Sequence, residues 1–384
     1  MAKDAVDEPA IGPAAPSRAM TGDPPAPASA RGGRKAAKRR EPLFAAVDLG
    51  TNNCRMLVAR RCGSGFRVVD AYSRIVRLGA GLAATGELSD ESMDKAVEAL
   101  GVCAERMRRK GVSNARCVAT EACRAASNGE AFLARVRDET GIDLEVITAE
   151  EEARLAVHGS VDLLDPDMDA AVVVDIGGGS TELCWVDVAE WRRRGGRESG
   201  GRPPLRGWSS MAVGVVTLAE RFPEPRQGDS EDRAAWYAAM RGYAADLLTA
   251  PRGARRLRPL FDAGRAHMIG TSGTVTSVAG VHLNLPRYDR NQVDGLWMSH
   301  DHARAACARL ASKDYDGRAA EPCIGTERAD LVLAGCAILE AVMDAWPTPS
   351  LRVGDRGLRE GMLLNLMRPR RRRGRRASRP AGKP

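Results

Sequence analysis

Each of several absences from this 384-residue sequence removes a class of protein. No apolar run approaches the roughly 20 residues needed to span a bilayer, since the longest is only Leu331 to Leu339. Residues 1–42 hold no apolar segment of the signal-peptide kind, so no secretory leader is expected. Nine cysteines form no Cys-x-x-Cys pair and no Cys/His cluster at zinc spacing, which argues against structural zinc and for reduced thiols in a cytosolic protein. No glycine turn continues into Gly-Lys-Ser/Thr, and neither Asp-Gly turn leads into a helix as a dinucleotide fingerprint would. A Ser-His-Asp triad lacks its nucleophile elbow, and His300 and His302, two apart near a helix start, read as ordinary surface residues.

Charge of one sign is scarce in the middle of the chain. Residues 1–42 carry 8 Lys/Arg against 5 Asp/Glu and residues 368–384 carry 9 against none, so the net +8 leaves Leu43 to Met367 at −4. Both tails read as disordered, because Ala, Pro, Gly and Arg cannot bury a core. The basic tail could meet a polyanion such as nucleic acid, an acidic membrane or polyphosphate. No aromatic residue interleaves the C-terminal arginines, so base stacking has no platform there.

What is present is 43% hydrophobic sequence, enough for two cores. Leu43 to Val47 reads as a strand ending at Asp48-Leu49-Gly50-Thr51-Asn52-Asn53, with a second strand from Met56 to Ala59. The periodicity of Met93, Val97, Leu100, Ala104 and Met107 predicts a helix over 89–110, closed by Gly111. A strand near 117–119, a helix over 130–140 and a strand over 144–147 follow, which makes the fold α/β. Thr148 with Glu151 three residues on is a capping-box signature, and Leu164 to Asp167 reads as a linker.

The opening pattern then recurs. Ala170 to Val174 meets Asp175-Ile176-Gly177-Gly178-Gly179-Ser180-Thr181-Glu182, 127 residues after Asp48, and resumes as Leu183 to Val186. Such internal repetition implies a duplicated domain facing its copy across a cleft. A third glycine and hydroxyl turn, Gly270-Thr271-Ser272-Gly273-Thr274, precedes a helical pattern. Helix 329–343, strand 351–353 and a last helix complete the body.

Successive backbone N–H groups in Gly177 to Thr181 make a plausible phosphate cradle. Asp48 and Asp175, at matching strand ends, could share a hard cation, for which magnesium fits best. Glu150, Glu151 and Glu152 offer a base for water, but acidic residues also suit any first helical turn, and spacing does not choose among them. Arg55, Arg124 and Arg328 lie beside turns or helix starts as phosphate donors.

Taken in order, VDLGTNNCRMLVA, VATEACRAASN, EEEARLA, VVDIGGGSTEL, GTSGTVTS, ERADLVLAG and GDRGLREGML resemble the exopolyphosphatase and guanosine pentaphosphate phosphatase (Ppx/GppA) family, from about Phe44 to Met367. The resemblance implies two actin-like, ribonuclease H-like domains. One spans 43–168 and is completed by the helix near 355–367, and the other spans 169–354. It implies Glu152 as general base, Asp175 with Asp48 as magnesium ligands, and Arg124 and Glu182 in the active site. Gly50, Thr51 and Asn52 would form the first phosphate loop and Gly177, Gly178, Gly179, Ser180 and Thr181 the second. Gly270, Ser272, Gly273 and Thr274 would form a third, with Arg328 as a substrate contact. Asn53-Cys54 departs from the Asn-Ser-aromatic pattern of many relatives, and Ser272 stands where some have glycine. The chain resembles the short members without extra helical domains.

The expected activity is magnesium-dependent release of orthophosphate from polyphosphate ends, with 5′-dephosphorylation of guanosine pentaphosphate as the alternative. An ATP-dependent kinase of the same superfold and a polyanion-binding protein using its basic tail are the readings from other classes. A cytoplasmic location, no membrane contact, nucleic acid as no more than a minor ligand, and a homodimer left open complete the expectations.

Overall fold

A computed structural model describes residues 41–368 apart from 64, 198–200 and 226–229, so nearly all of both expected tails lies outside the described residues. The two sequence repeats become two sheets of one topology. In the first, β1 (Leu43–Leu49), β2 (Asn53–Cys62) and β3 (Gly65–Ile75) form an antiparallel meander. β4 (Val112–Ala119) runs parallel to β1, and β5 (Glu145–Val146) runs parallel to β4.

In the second sheet, β6 (Ala170–Ile176), β7 (Thr181–Asp187) and β8 (Leu205–Met211) repeat the meander. β9 (Ala266–Thr271) and β11 (Ser350–Gly354) run parallel to β6, and the short β10 (Trp297–Ser299) adds an antiparallel edge. The strand orders are β3-β2-β1-β4-β5 and β10-β11-β9-β6-β7-β8, so the duplicated ribonuclease H-like arrangement expected from the repeat is present. β1 and β6 lie centrally with both faces covered. Their apolar residues therefore run continuously instead of alternating, and Ala45, Ala46, Val47, Val172 and Val174 have no exposed surface.

The helices α1 (Asp90–Lys110), α2 (Glu121–Ala125), α3 (Gly129–Thr140) and α4 (Ala149–Gly159) belong to the first half. α5 (Val215–Arg221), α6 (Ser230–Asp246), α7 (Gly273–His282), α8 (His300–Ala311) and α9 (Val332–Ala345) follow in the second, and α10 (Leu358–Leu366) returns to the first. α1 starts on Ser89, whose side chain accepts from the Ser92 N–H, and ends on Gly111 at φ 69°, as its sequence signals require. Thr148 caps α4 by accepting from Glu151 N–H, but the Glu151 carboxylate goes to Arg116 at 2.6 Å, so only half of the expected capping box is made.

α4 is shared between the halves. Ala153 and Val157 pack on the β6–β7 face of the second sheet, while Leu155 packs with Met362 and Leu363 of α10 on the first. α4 and α10 touch backbone to backbone: a Cβ on Gly159 would lie 1.9 Å from the Gly357 carbonyl oxygen, and one on Gly361 would lie 2.1 Å from that of Leu155. Only glycine permits that approach.

Sequence periodicity missed β3, β8 and α6. Nearly every residue of β3 is half-buried, so it has no buried face to alternate with. The expected strand 144–147 shortens to two residues, and helix 329–343 shifts to 332–345. His300 is half-buried and bonded to Thr348 at 2.9 Å, so it is no free surface residue, while His302 is exposed and stacks on His282. No helix among the described residues is long and apolar enough to cross a membrane. Of the nine cysteines, all free, only Cys62 is exposed.

Candidate active site

The two Asp-Gly turns are the same structure. Gly50 N–H donates to the Asn53 carbonyl at 2.9 Å, and Gly177 N–H donates to the Ser180 carbonyl at 2.9 Å, each closing the turn between the first two strands of its half. The turns touch. A Cβ on Gly178 would meet Thr51 Cβ at 2.9 Å and one on Gly179 would meet Thr51 Oγ1 at 2.8 Å, so glycine here serves close approach between the halves.

Asp48 and Asp175 occupy the penultimate positions of β1 and β6 and are half-buried. Burial pushes Asp48 up to about 6, opposed by Arg55 and Arg359 and reinforced by Asp175 and Glu360. Asp175 is also raised by burial, with Thr271 and Arg55 pulling the other way. Across the ladder from Asp48 stands Arg55, and across from Asp175 stands Glu182, so these two occupy the same place in the two repeats. Burial raises Glu182 to about 7; bonds from Ser180 and Ser210 oppose the rise and the Asp175 charge adds to it.

Glu152, in the first turn of α4, lies near enough to these carboxylates to feel their charge. Its carboxyl is held well above the usual range, first by burial and then by the charges of Glu182, Asp48 and Asp175, with Arg124 opposing. Arg124 Nη1 lies 3.6 Å from Glu152 Oε2, near enough to pair as a charge but beyond hydrogen-bond reach. Arg124 is itself fixed, donating to the Ile147 carbonyl at 2.6 Å and to Glu121 at 3.1 Å.

The third turn joins β9 to α7 through Ser272, whose φ of 108° and ψ of 169° lie in a region essentially restricted to glycine. Three buried polar atoms of the site candidates lack a hydrogen-bond partner: Asn52 Oδ1, Ser272 Oγ and Glu152 Oε2. One comes from each of three separate elements. Orphaned buried polar atoms are costly, and a ligand with donors and acceptors relieves them.

The structure narrows three sequence expectations. Thr181 begins β7, fully buried, and its hydroxyl donates to the Val213 carbonyl at 2.8 Å, which leaves only its backbone for a phosphate. Gly270 lies inside β9, where a Cβ would meet Val275 at 2.9 Å and Leu351 at 3.1 Å; it is a packing glycine, not part of a phosphate turn. Arg328 donates to Ser277 Oγ at 3.1 Å, one turn along α7 from Gly273, and among the described residues no bond ties it to the carboxylates. Thr274 is buried against Gly335 of α9, while Gly273 faces Arg55.

The residues that sequence reasoning underrated are Arg55 and Arg359. The signal for Arg55 was available, because the 127-residue offset that pairs Asp48 with Asp175 also pairs Arg55 with Glu182. Arg359 carries no such signal, since only the return of α10 brings it beside Asp48.

Comparison with known proteins agrees with this architecture. The model of the Ppx/GppA phosphatase family matches residues 57–369. A crystal structure of the Aquifex aeolicus Ppx/GppA family member superposes with a TM-score of 0.66 at 25% identity, covering 85% of this chain and 97% of that one. An exopolyphosphatase-like protein gives 0.71 at 27% identity over 84% and 98%. An exopolyphosphatase from Cytophaga hutchinsonii gives 0.70 at 22% identity over 84% and 97%, a likeness of fold. With the duplicated sheets, the paired Asp-Gly turns and a family match over most of its length, the chain belongs to the Ppx/GppA phosphatase family.

Proposed function

We propose that this phosphatase hydrolyses the terminal phosphoanhydride bond of inorganic polyphosphate. The observation that carries the reading is the gathering of Glu152, Glu182, Asp48 and Asp175 within reach of one another's charge, with the two matched turns in contact.

The donor set suits magnesium. Asp48 and Asp175 are half-buried hard oxygen ligands near enough to feel each other's charge, each raised by desolvation that a cation would relieve. Among the described residues no three His, Cys, Asp or Glu side chains form a complete cage. Magnesium commonly keeps several waters and substrate phosphate oxygens, so two carboxylates suffice. When bound, the ion would offset charge on the transferring phosphoryl group.

The chain's own residues would do the rest. Backbone N–H groups of the paired turns would hold the terminal phosphate, and Arg124, whose Nε and Nη2 are committed to Glu121, would add positive charge beside it. With the charges of Asp48 and Asp175 offset, Glu152 would ionise and take a proton from a water molecule whose oxygen forms the new bond to phosphorus. The bridging P–O bond breaks, the shortened chain leaves with the electron pair, and orthophosphate is released.

The test is turnover of polyphosphate, guanosine pentaphosphate and ATP in competition, with magnesium and again with chelator. Polyphosphate should dominate and the chelator should abolish release. Preference for guanosine pentaphosphate would transfer the reading to that substrate, and no phosphate release from any of them would end it.

A further inference from the structure

The segment Val76 to Gly81, which leaves β3, hangs on the first phosphate turn. Val76 and Arg77 N–H groups both donate to the Asn52 carbonyl, at 2.9 and 3.0 Å, and Gly79 N–H donates to the Thr51 carbonyl at 2.9 Å. Whatever fixes this segment therefore fixes Thr51 and Asn52.

It is held from the other half of the molecule. Arg77 Nη1 lies 2.8 Å from Asp330 Oδ2, and Nη2 reaches the Glu327 carbonyl at 3.5 Å. Gly81 N–H donates to Glu220 Oε1 at 2.8 Å. Glu220 sits on α5, whose first residues Val215 and Val216 donate to the Gly177 and Gly178 carbonyls of the second phosphate turn at 3.0 and 2.8 Å. Asp330 follows two residues after Arg328. The Glu220 link thus ties one phosphate turn to the other, and the Asp330 link ties the first turn to the segment whose Arg328 bonds Ser277 of α7.

Arg77 is also held at φ 50°, which a non-glycine residue keeps only where its surroundings impose it. Asp330 Oδ1 is buried without a hydrogen-bond partner. We propose that Arg77, Glu220 and Asp330 are positioning residues forming a latch that sets the spacing of the two phosphate turns, closed around substrate and parted for exchange. The Arg77 and Asp330 side chains are 44% and 35% exposed, so the pair is weakened by water and can open readily. α4, packed into both cores, remains as the pivot.

The kinetic consequence rests on the phosphatase reading, but the spacing itself does not. Small-angle scattering of the full chain reads the spacing directly. Arg77→Ala and Glu220→Ala should each raise the radius of gyration at unchanged melting temperature. They should raise KM for polyphosphate about two- to fivefold with a smaller change in kcat, the range of a half-exposed pair. The exchange Arg77→Glu with Asp330→Arg should recover KM, and Arg77→Lys should recover part of it. If both alanine variants scatter like wild type and keep its KM, the latch is refuted. If scattering expands while the wild-type protein turns over no phosphate substrate, the latch stands and the phosphatase reading falls.

Discussion

Replacing Glu152 by glutamine separates catalysis from stability, because the same carboxylate acts in opposite directions on each. Glu152 Oε2 is buried without a hydrogen-bond partner and is surrounded by Glu182, Asp48 and Asp175, whose charges make its ionised form unfavourable. The amide keeps shape and volume but removes the charge, so the folded state gains. Arg124 keeps its bonds to Glu121 and the Ile147 carbonyl and stays in place. Loss of a general base costs about 10²- to 10⁴-fold in rate, or roughly 3–5.5 kcal/mol of barrier. Phosphate release from polyphosphate in saturating magnesium measures kcat, and differential scanning calorimetry measures Tm. The expected pair is a kcat lowered by at least about a hundredfold with Tm equal to or above wild type. A variant that keeps more than about a tenth of wild-type kcat would remove Glu152 from the role. A fall in Tm would show that its charge does not oppose folding.

Other consequences concern the scaffold. Gly361→Ala should destabilise by about 3 kcal/mol, read as a lower denaturation midpoint, because its Cβ would lie 2.1 Å from the Leu155 carbonyl and force α10 off α4. Ser272→Gly should raise that midpoint by about 1 kcal/mol, the strain of a glycine-only conformation less the entropy glycine brings to the unfolded chain; an unchanged or lower midpoint would mean the turn is unstrained. Asp48 and Glu182 titrate near 6 and 7 when folded, above their ordinary values of 3.8 and 4.5. At these two groups the fold therefore binds more protons than the unfolded chain, and their contribution to stability is full below about pH 4 and lost as pH rises to about 7. Asp48 alone accounts for about 3 kcal/mol of that loss. Magnesium, binding the ionised pair, should raise Tm more at pH 8 than at pH 5, and an equal rise at both would argue against these ligands.

Much of this was legible in the sequence, for a physical reason. A central strand ending in Asp and a glycine turn must show its apolar residues as a block, and two such blocks 127 residues apart announce a duplicated sheet. Glu152 was visible only as one of three adjacent glutamates. Their separation is tertiary: Glu150 pairs with Arg154, Glu151 pairs with Arg116, and Glu152 lies near the site carboxylates. Gly270 was misjudged because a glycine near a turn looks the same whether it faces a ligand or a neighbouring side chain. Arg359 and the cross-links of Arg77 join positions far apart in the chain, and no local pattern foretells them.

The helix bearing Glu152 has its two flanks set into different halves of the molecule, so neither half can be repacked without disturbing the other. A methyl added beneath Ala153 or removed from Leu155 would tilt the same rod. Variation that retunes this protein should therefore accumulate in its rim loops, while this one helix stays fixed in sequence.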